Sequence, residues 1–141
     1  MRWLLLALCV ACTSEWEPAG LMLREGRNND LAATQKYQAK ELRLSGVVVS
    51  TGKKKIERGA ARTDGRWQEA PATEADVPYP FVQIRDAEHP TEDVVTCYFA
   101  QRDSAPPELA PGATAHVHGF FVQYAQTGTR VEAVLERCDL E

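Results

Sequence analysis

The sequence predicts a mainly β protein, a small closed barrel of five strands behind a short helical segment. Three observations carry that expectation. Five runs rich in β-branched and aromatic residues recur after residue 41, separated by turn-forming residues. Helix-favouring composition is confined to about residues 18–37. Glycines fall inside the first and fourth runs (Gly46 and Gly119), where barrel strands must bend.

The chain opens MRWLLLALCVAC. Arg2 supplies a positive start, and an apolar run extends from Trp3 to Ala11. A spanning helix needs about 20 apolar residues, so the run is too short to cross a bilayer. A positive start, a short apolar core and a small residue before a cut describe an export signal. Cys9-Val10-Ala11-Cys12 resembles the lipobox of bacterial lipoproteins. That resemblance implies cleavage before Cys12 and lipid attachment to it, with residues 1–11 removed as signal peptide. Two or three acyl chains satisfy the need for at least two anchoring signals. An ordinary secreted chain is the alternative. Thr13, rather than an aspartate, follows the cysteine, which by analogy favours sorting to an outer membrane.

Residues 12–19 are polar and carry Pro18, so they read as a tether. Pro18 also suits a first helical turn. Leu21, Leu31, Ala32 and Tyr37 offer an apolar stripe, interrupted by Gly26 and by Asn28-Asn29-Asp30. One long helix, or two short ones with a cap near Asn29 or Asp30, fit equally.

Residues 42–50 form the first strand, alternating and then apolar on both faces. Residues 51–80 read as a long polar insert with Pro71, Pro78 and Pro80. Loops of this length are usually functional or disordered. Strands follow at 81–85, 94–99, 113–124 and 130–140. Between them lie a turn at 86–93, a proline-rich connector at 106–112 and a turn at Gln126-Thr127-Gly128.

The chain has 141 residues with 16 basic and 20 acidic side chains, a net charge of −4. Losing Arg2 with the signal leaves 15 basic against 20 acidic. A net acidic chain is a poor general nucleic-acid binder, because affinity for phosphate comes from basic charge. Of four cysteines, Cys9 leaves with the signal and Cys12 takes the lipid, which leaves Cys97 and Cys138. In an oxidising compartment these form a bridge. It would close about 40 residues and contribute about 4 kcal/mol in the chain-entropy model. Two buried thiols are the alternative.

A second resemblance covers residues 29–140. Asn29, Ala33 and Tyr37 precede Lys40, Leu42, Leu44, Gly46 and Val48. Then come Val95-Thr96-Cys97-Tyr98-Phe99, Leu109-Ala110-Pro111-Gly112, Val117-His118-Gly119 and Leu135-Glu136-Arg137-Cys138-Asp139-Leu140. This order is similar to that of the tRNA-anti-like domains, OB-fold domains found in bacterial lipoproteins. The resemblance implies one five-stranded OB-fold barrel over residues 20–141. The insert at 51–80 then occupies the first binding loop. In such a barrel the third and fifth strands pair, which brings Cys97 and Cys138 together.

Over residues 52–66 the insert carries Lys53, Lys54, Lys55, Arg58, Arg62 and Arg66, with Trp67 beside them, against only Glu57 and Asp64. Basic residues next to an aromatic can grip phosphates and stack a base or sugar. The bland reading is a solvated loop. His116 and His118 share one strand face, Val117 pointing inward between them. A catalytic zinc usually takes three protein ligands, and His89 lies in a turn, so no metal site is expected. Tyr79, Tyr98, Phe120, Phe121 and Tyr124 serve either a stacking face or packing. No activated nucleophile or paired-carboxylate pattern is present.

The expectation is a non-enzymatic, lipid-anchored module of the bacterial cell envelope, facing the periplasm from the outer membrane, with no cofactor. Its expected partners are the membrane, through lipid on Cys12, and another envelope protein or an anionic polymer. Nucleic acid is the weaker alternative, through the basic residues of 52–67. A metal-dependent enzyme using His116 and His118 is the weakest.

Overall fold

The computed structural model describes residues 16–55 and 78–141, with the backbone alone for 61–63 and 66–68. The signal segment, Cys12 and Arg58 lie outside the described residues. The elements are β1 (Glu17–Pro18), α1 (Ala19–Asn28), α2 (Asp30–Tyr37), β2 (Glu41–Lys55), β3 (Ala61–Thr63), β4 (Arg66–Gln68), β5 (Pro78–Arg85), β6 (Val94–Phe99), β7 (Thr114–Thr127) and β8 (Arg130–Leu140).

The protein is mainly β, as its alternating runs predict. Its main sheet runs β1-β2-β5-β6-β8-β7, and β2 also pairs with β7. Five strands therefore hydrogen-bond in a ring. Within it β6 and β8 are parallel, and every other pair is antiparallel. Ring closure gives each of the five a neighbour on both sides, covering the edges at which unwanted pairing usually starts. Where the β5 ladder stops at Val47, β1 takes over the same edge of β2, opposite Leu44 and Ser45.

Alternation fills the interior. Leu44, Val48, Val82, Ile84, Val95, Val117, Ala133 and Leu135 are buried inside. Gly46 marks a close approach, because a Cβ there would lie 2.7 Å from the Arg85 carbonyl oxygen. The β2–β5 register slips just beyond it, between Val48 and Ser50. β2 runs on to Lys55, past the end that alternation gives at Ser50. Lys53, Lys54 and Lys55 thus pair with Pro80, Tyr79 and Pro78 in a ladder. Lysine is weak in strands by propensity, but propensity yields to cross-strand pairing. The stretch read as a tether likewise joins the sheet from Glu17.

Two helices form, and Asn29 divides them. Its side-chain oxygen accepts from the Ala32 N–H at 3.1 Å, a cap for α2. The expected apolar stripe is corrected: Leu21 and Leu31 are 38% and 43% exposed, Ala32 is exposed, and only Tyr37 is buried. The buried face of α1 is instead Ala19, Met22, Leu23 and Gly26, spaced i, i+3, i+4, i+7. It packs against β2, β5, β6 and β8.

Cys97 and Cys138 form a disulfide across the β6–β8 pair. At this point β8 carries extra residues: His118 pairs with Asp139 and Phe120 with Glu136, leaving only Gly119 opposite Arg137 and Cys138. Arg137 takes φ +53°, in the left-handed region, as a bulge residue can.

Candidate functional site

The outer surface of β5, β6 and β8 carries a second apolar cluster, separate from the interior. Phe81 pairs with Tyr98 across β5–β6, and Val134 of β8 packs against both. Tyr79 joins from the edge. Tyr98 and Phe81 are buried, so their rings act here as packing. The ring centroids stand 6.4 Å apart, tilted by 56°, a favourable aromatic geometry.

Lys54 lies over this cluster. Its Nζ is 4.9 Å from the Phe81 centroid and 5.9 Å from that of Tyr98. It also reaches Glu132 at 3.8 Å. Next to it, Gln83 and Thr96 pair across the strands and are buried. With its amide turned to suit its neighbours, Gln83 donates to Ser50 Oγ (2.9 Å). Its oxygen then accepts from Thr96 Oγ1 (3.2 Å), Lys54 Nζ (3.3 Å) and Arg130 Nη2 (3.2 Å). Two cations converging on one amide require the oxygen to face them, which fixes that orientation. The result is a convergence of positive charge on a rigid, aromatic-backed surface, with the Glu132 carboxylate beside Lys54 and the Asp93 carboxylate within reach of the Arg130 charge.

Beside this surface lies a cleft of about 500 Å³ lined by Tyr79, Ala100, Gln101, Arg102, Asp103 and Ser104. Lys53 crosses to it and donates to the Arg102 carbonyl at 3.0 Å. Of the predicted basic residues, then, Lys53 and Lys54 meet this site. Lys55 is exposed at the end of β2. The backbones of Arg62 and Arg66 pair in the β3–β4 hairpin, Arg62 opposite Trp67 and Thr63 opposite Arg66. Gln83, Thr96, Arg130 and Glu132 escaped sequence reasoning. Their one signal is outward phase on the strands that carry the core.

The histidines separate. Val117 points inward, and His116 stacks on Trp16 with centroids 5.1 Å apart. His118 sits among carboxylates: Asp139 Oδ2 at 3.5 Å, Glu141 Oε1 at 3.4 Å and Glu41 Oε1 at 3.9 Å. His89 is exposed in the turn after β5. Among the described residues, no group of three or more His, Cys, Asp or Glu is arranged to hold a metal ion.

Four charged residues that the sequence left unassigned hold α1 to the ring. Arg24 donates to Asp86 Oδ2 at 3.0 Å. Arg27 donates through Nε to Asp93 Oδ2 (2.7 Å), through Nη2 to Asp93 Oδ1, and to the Thr129 carbonyl (2.8 Å). The Val131 N–H adds a third bond to Asp93, at 2.9 Å. Burial pushes the Asp93 carboxyl up, but these hydrogen bonds and the Arg27 and Arg130 charges hold it below its ordinary value. Tyr37 and Lys36 donate to Glu25 at 2.5 and 2.8 Å, tying α2 to α1. Burial, followed by the Glu25 contact, pushes the Tyr37 hydroxyl up to about 12.

No protein-family model and no curated protein sequence matches the chain. A solved structure from Klebsiella pneumoniae subsp. pneumoniae MGH 78578, named "putative nucleic acid-binding lipoprotein", does share its fold. The TM-score is 0.61 at 21% identity, over 91% of this chain and 93% of that one. No helix among the described residues is long and apolar enough to cross a membrane.

Proposed function

We propose that the chain is a lipid-anchored, extracytoplasmic OB-fold module that binds or assembles with another component of the bacterial envelope and performs no catalysis. The ring order β2-β5-β6-β8-β7 matches a five-stranded Greek-key barrel, and the tRNA-anti-like resemblance belongs to the same reading. The observation that carries it is the Cys97–Cys138 disulfide. Disulfides persist in oxidising compartments, and this one leaves Cys12, at the end of the apolar run, as the cysteine available for acylation. Thr13 after it favours the outer membrane. The fold likeness to a protein whose name includes "lipoprotein" is compatible. Metabolic labelling with a palmitate analogue tests the anchor. The intact chain takes up label and Cys12→Ala does not; persistent label in that variant overturns it.

A second reading gives the module an anionic polymer as ligand. The convergence of Lys54 and Arg130 on Gln83, with Lys54 over Phe81 and Tyr98 beside the cleft, favours it. Positive charge on a rigid surface edged by the partly exposed Tyr79 suits a polyanion. Because the chain is net acidic, an anionic polysaccharide fits better than nucleic acid. Binding of an anionic polysaccharide and of single-stranded DNA is measured at low salt. Salt-sensitive binding weakened by Lys54→Gln with Arg130→Gln supports this reading, and no binding to either polymer removes it.

A further inference from the structure

We infer that the outer face shared by β2 and β7 rests against the lipid surface, leaving the Lys54–Arg130 face turned away from it. The inference depends on the lipid anchor at Cys12 proposed above.

Trp16 is where the described chain meets the sheet. The next two residues, Glu17 and Pro18, are held in the ladder beside Leu44 and Ser45. Because β7 occupies the other edge of β2, the Trp16 ring must cross the outer face of β2 to reach His116. It does, and the Arg43 guanidinium sits 5.6 Å from its centroid. The direction of arrival is therefore fixed by two backbone pairings and two ring contacts.

Cys12 lies four residues before Trp16. Whatever their path, four residues span at most about 14 Å. That is shorter than many loops, so lipid on Cys12 holds this face close to the headgroups. The face suits that position. Outward residues of β7 run His116, His118, Phe120 and Val122, and Phe120 and Val122 are 41% and 39% exposed. Tryptophan and other aromatics favour the membrane–water interface. Glu41, Asp139 and Glu141 surround His118 on the same side. Those carboxylates disfavour an anionic surface, so the surface expected is zwitterionic. In the ring, β6 lies on the far side from the β2–β7 pair, so the cleft after it is directed away from the membrane.

The experiment uses lipidated full-length protein in phosphatidylcholine vesicles whose acyl chains are brominated near the headgroup, with quenching of single tryptophans as the readout. Trp16 is read in Trp67→Phe. Phe120→Trp and Gln101→Trp are each read in Trp16→Phe with Trp67→Phe, Gln101 marking the far cleft. Quenching of Trp16 and of Phe120→Trp several-fold above that of Gln101→Trp supports the orientation. Equal quenching of the two introduced tryptophans, strong or absent, overturns it while vesicle flotation still upholds the anchor. If the chain fails to float with vesicles, or Cys12→Ala floats equally, the anchor fails and the orientation with it.

Discussion

Gly119 stands against Cys138 so closely that an added Cβ would lie 2.5 Å from the disulfide sulfur and 3.1 Å from the Glu136 carbonyl oxygen. The missing side chain is thus a condition for the cross-link, set into the bulge where β8 carries Arg137 and Cys138 opposite one residue. Gly119→Ala is expected to cost about 2–3 kcal/mol as overpacking against a neighbour that cannot rotate away. In a Cys97→Ala, Cys138→Ala background the same change costs less, because the sulfur is gone. Urea unfolding of the four proteins gives the coupling.

Gly26 sets propensity against packing. Replacing a helical glycine by alanine favours a helix by about 1 kcal/mol. Here the added Cβ would lie 2.3 Å from the Tyr124 ring. That ring is held by its own hydroxyl, which donates to the Met22 carbonyl at 2.8 Å. Gly26→Ala is therefore expected to lower stability by about 1–3 kcal/mol, since the clash exceeds the propensity gain. Thermal unfolding followed by circular dichroism checks the sign.

Acid should loosen α1. Asp93 and Glu25 both have carboxyls held below their ordinary values: burial raises each, and hydrogen bonds from Arg27, or from Lys36 and Tyr37, outweigh it. In the unfolded chain these groups bind protons first. Their stabilisation is thus complete above the unfolded values, near 4, and is lost as pH falls through the lower folded values. The urea midpoint is expected to drop below about pH 4. Asp93→Asn should cost about 2–4 kcal/mol at neutral pH and show a shallower acid drop.

Alkali acts through Tyr37. Its hydroxyl is raised to about 12, chiefly by burial and then by the Glu25 contact. A raised value means stability fully present below the unfolded value near 10 and lost as pH climbs towards the folded one. Burial raises the Tyr124 hydroxyl as well, so tyrosinate absorbance is expected to show late steps of which Tyr37→Phe removes the earlier, with a smaller alkaline loss of stability in that variant.

The strands were legible in two ways: Leu44 and Val117 sit in outward-inward patterns that a sequence displays, while Val82 and Val95 sit in short β-branched and aromatic runs buried on both faces. The two thiols meet for a different reason: Cys138 stands an odd number of residues beyond Leu135, the partner of Cys97, and the bulge at Arg137 turns it inward. The helix face was misread because two of its contacts involve glycines. Gly26 looks like an interruption until Tyr124 is set against it. The basic residues were placed in a loop because lysine discourages strands; only the opposing Pro78–Arg85 strand shows that Lys53–Lys55 are paired. Gln83, Thr96 and Arg130 carry no motif. Their meeting depends on three strands brought together by the ring.

The closing pair of that ring has a kinetic meaning. Glu41 finds Phe120, and Val47 finds Thr114, only after most of the chain has been made. Joining segments so distant is slow, since the entropy of the intervening loop is lost before the contacts form. Until β7 arrives, one flank of the first long strand waits as an open template, and the interval between emergence and closure is when this molecule is most exposed to pairing with a stranger.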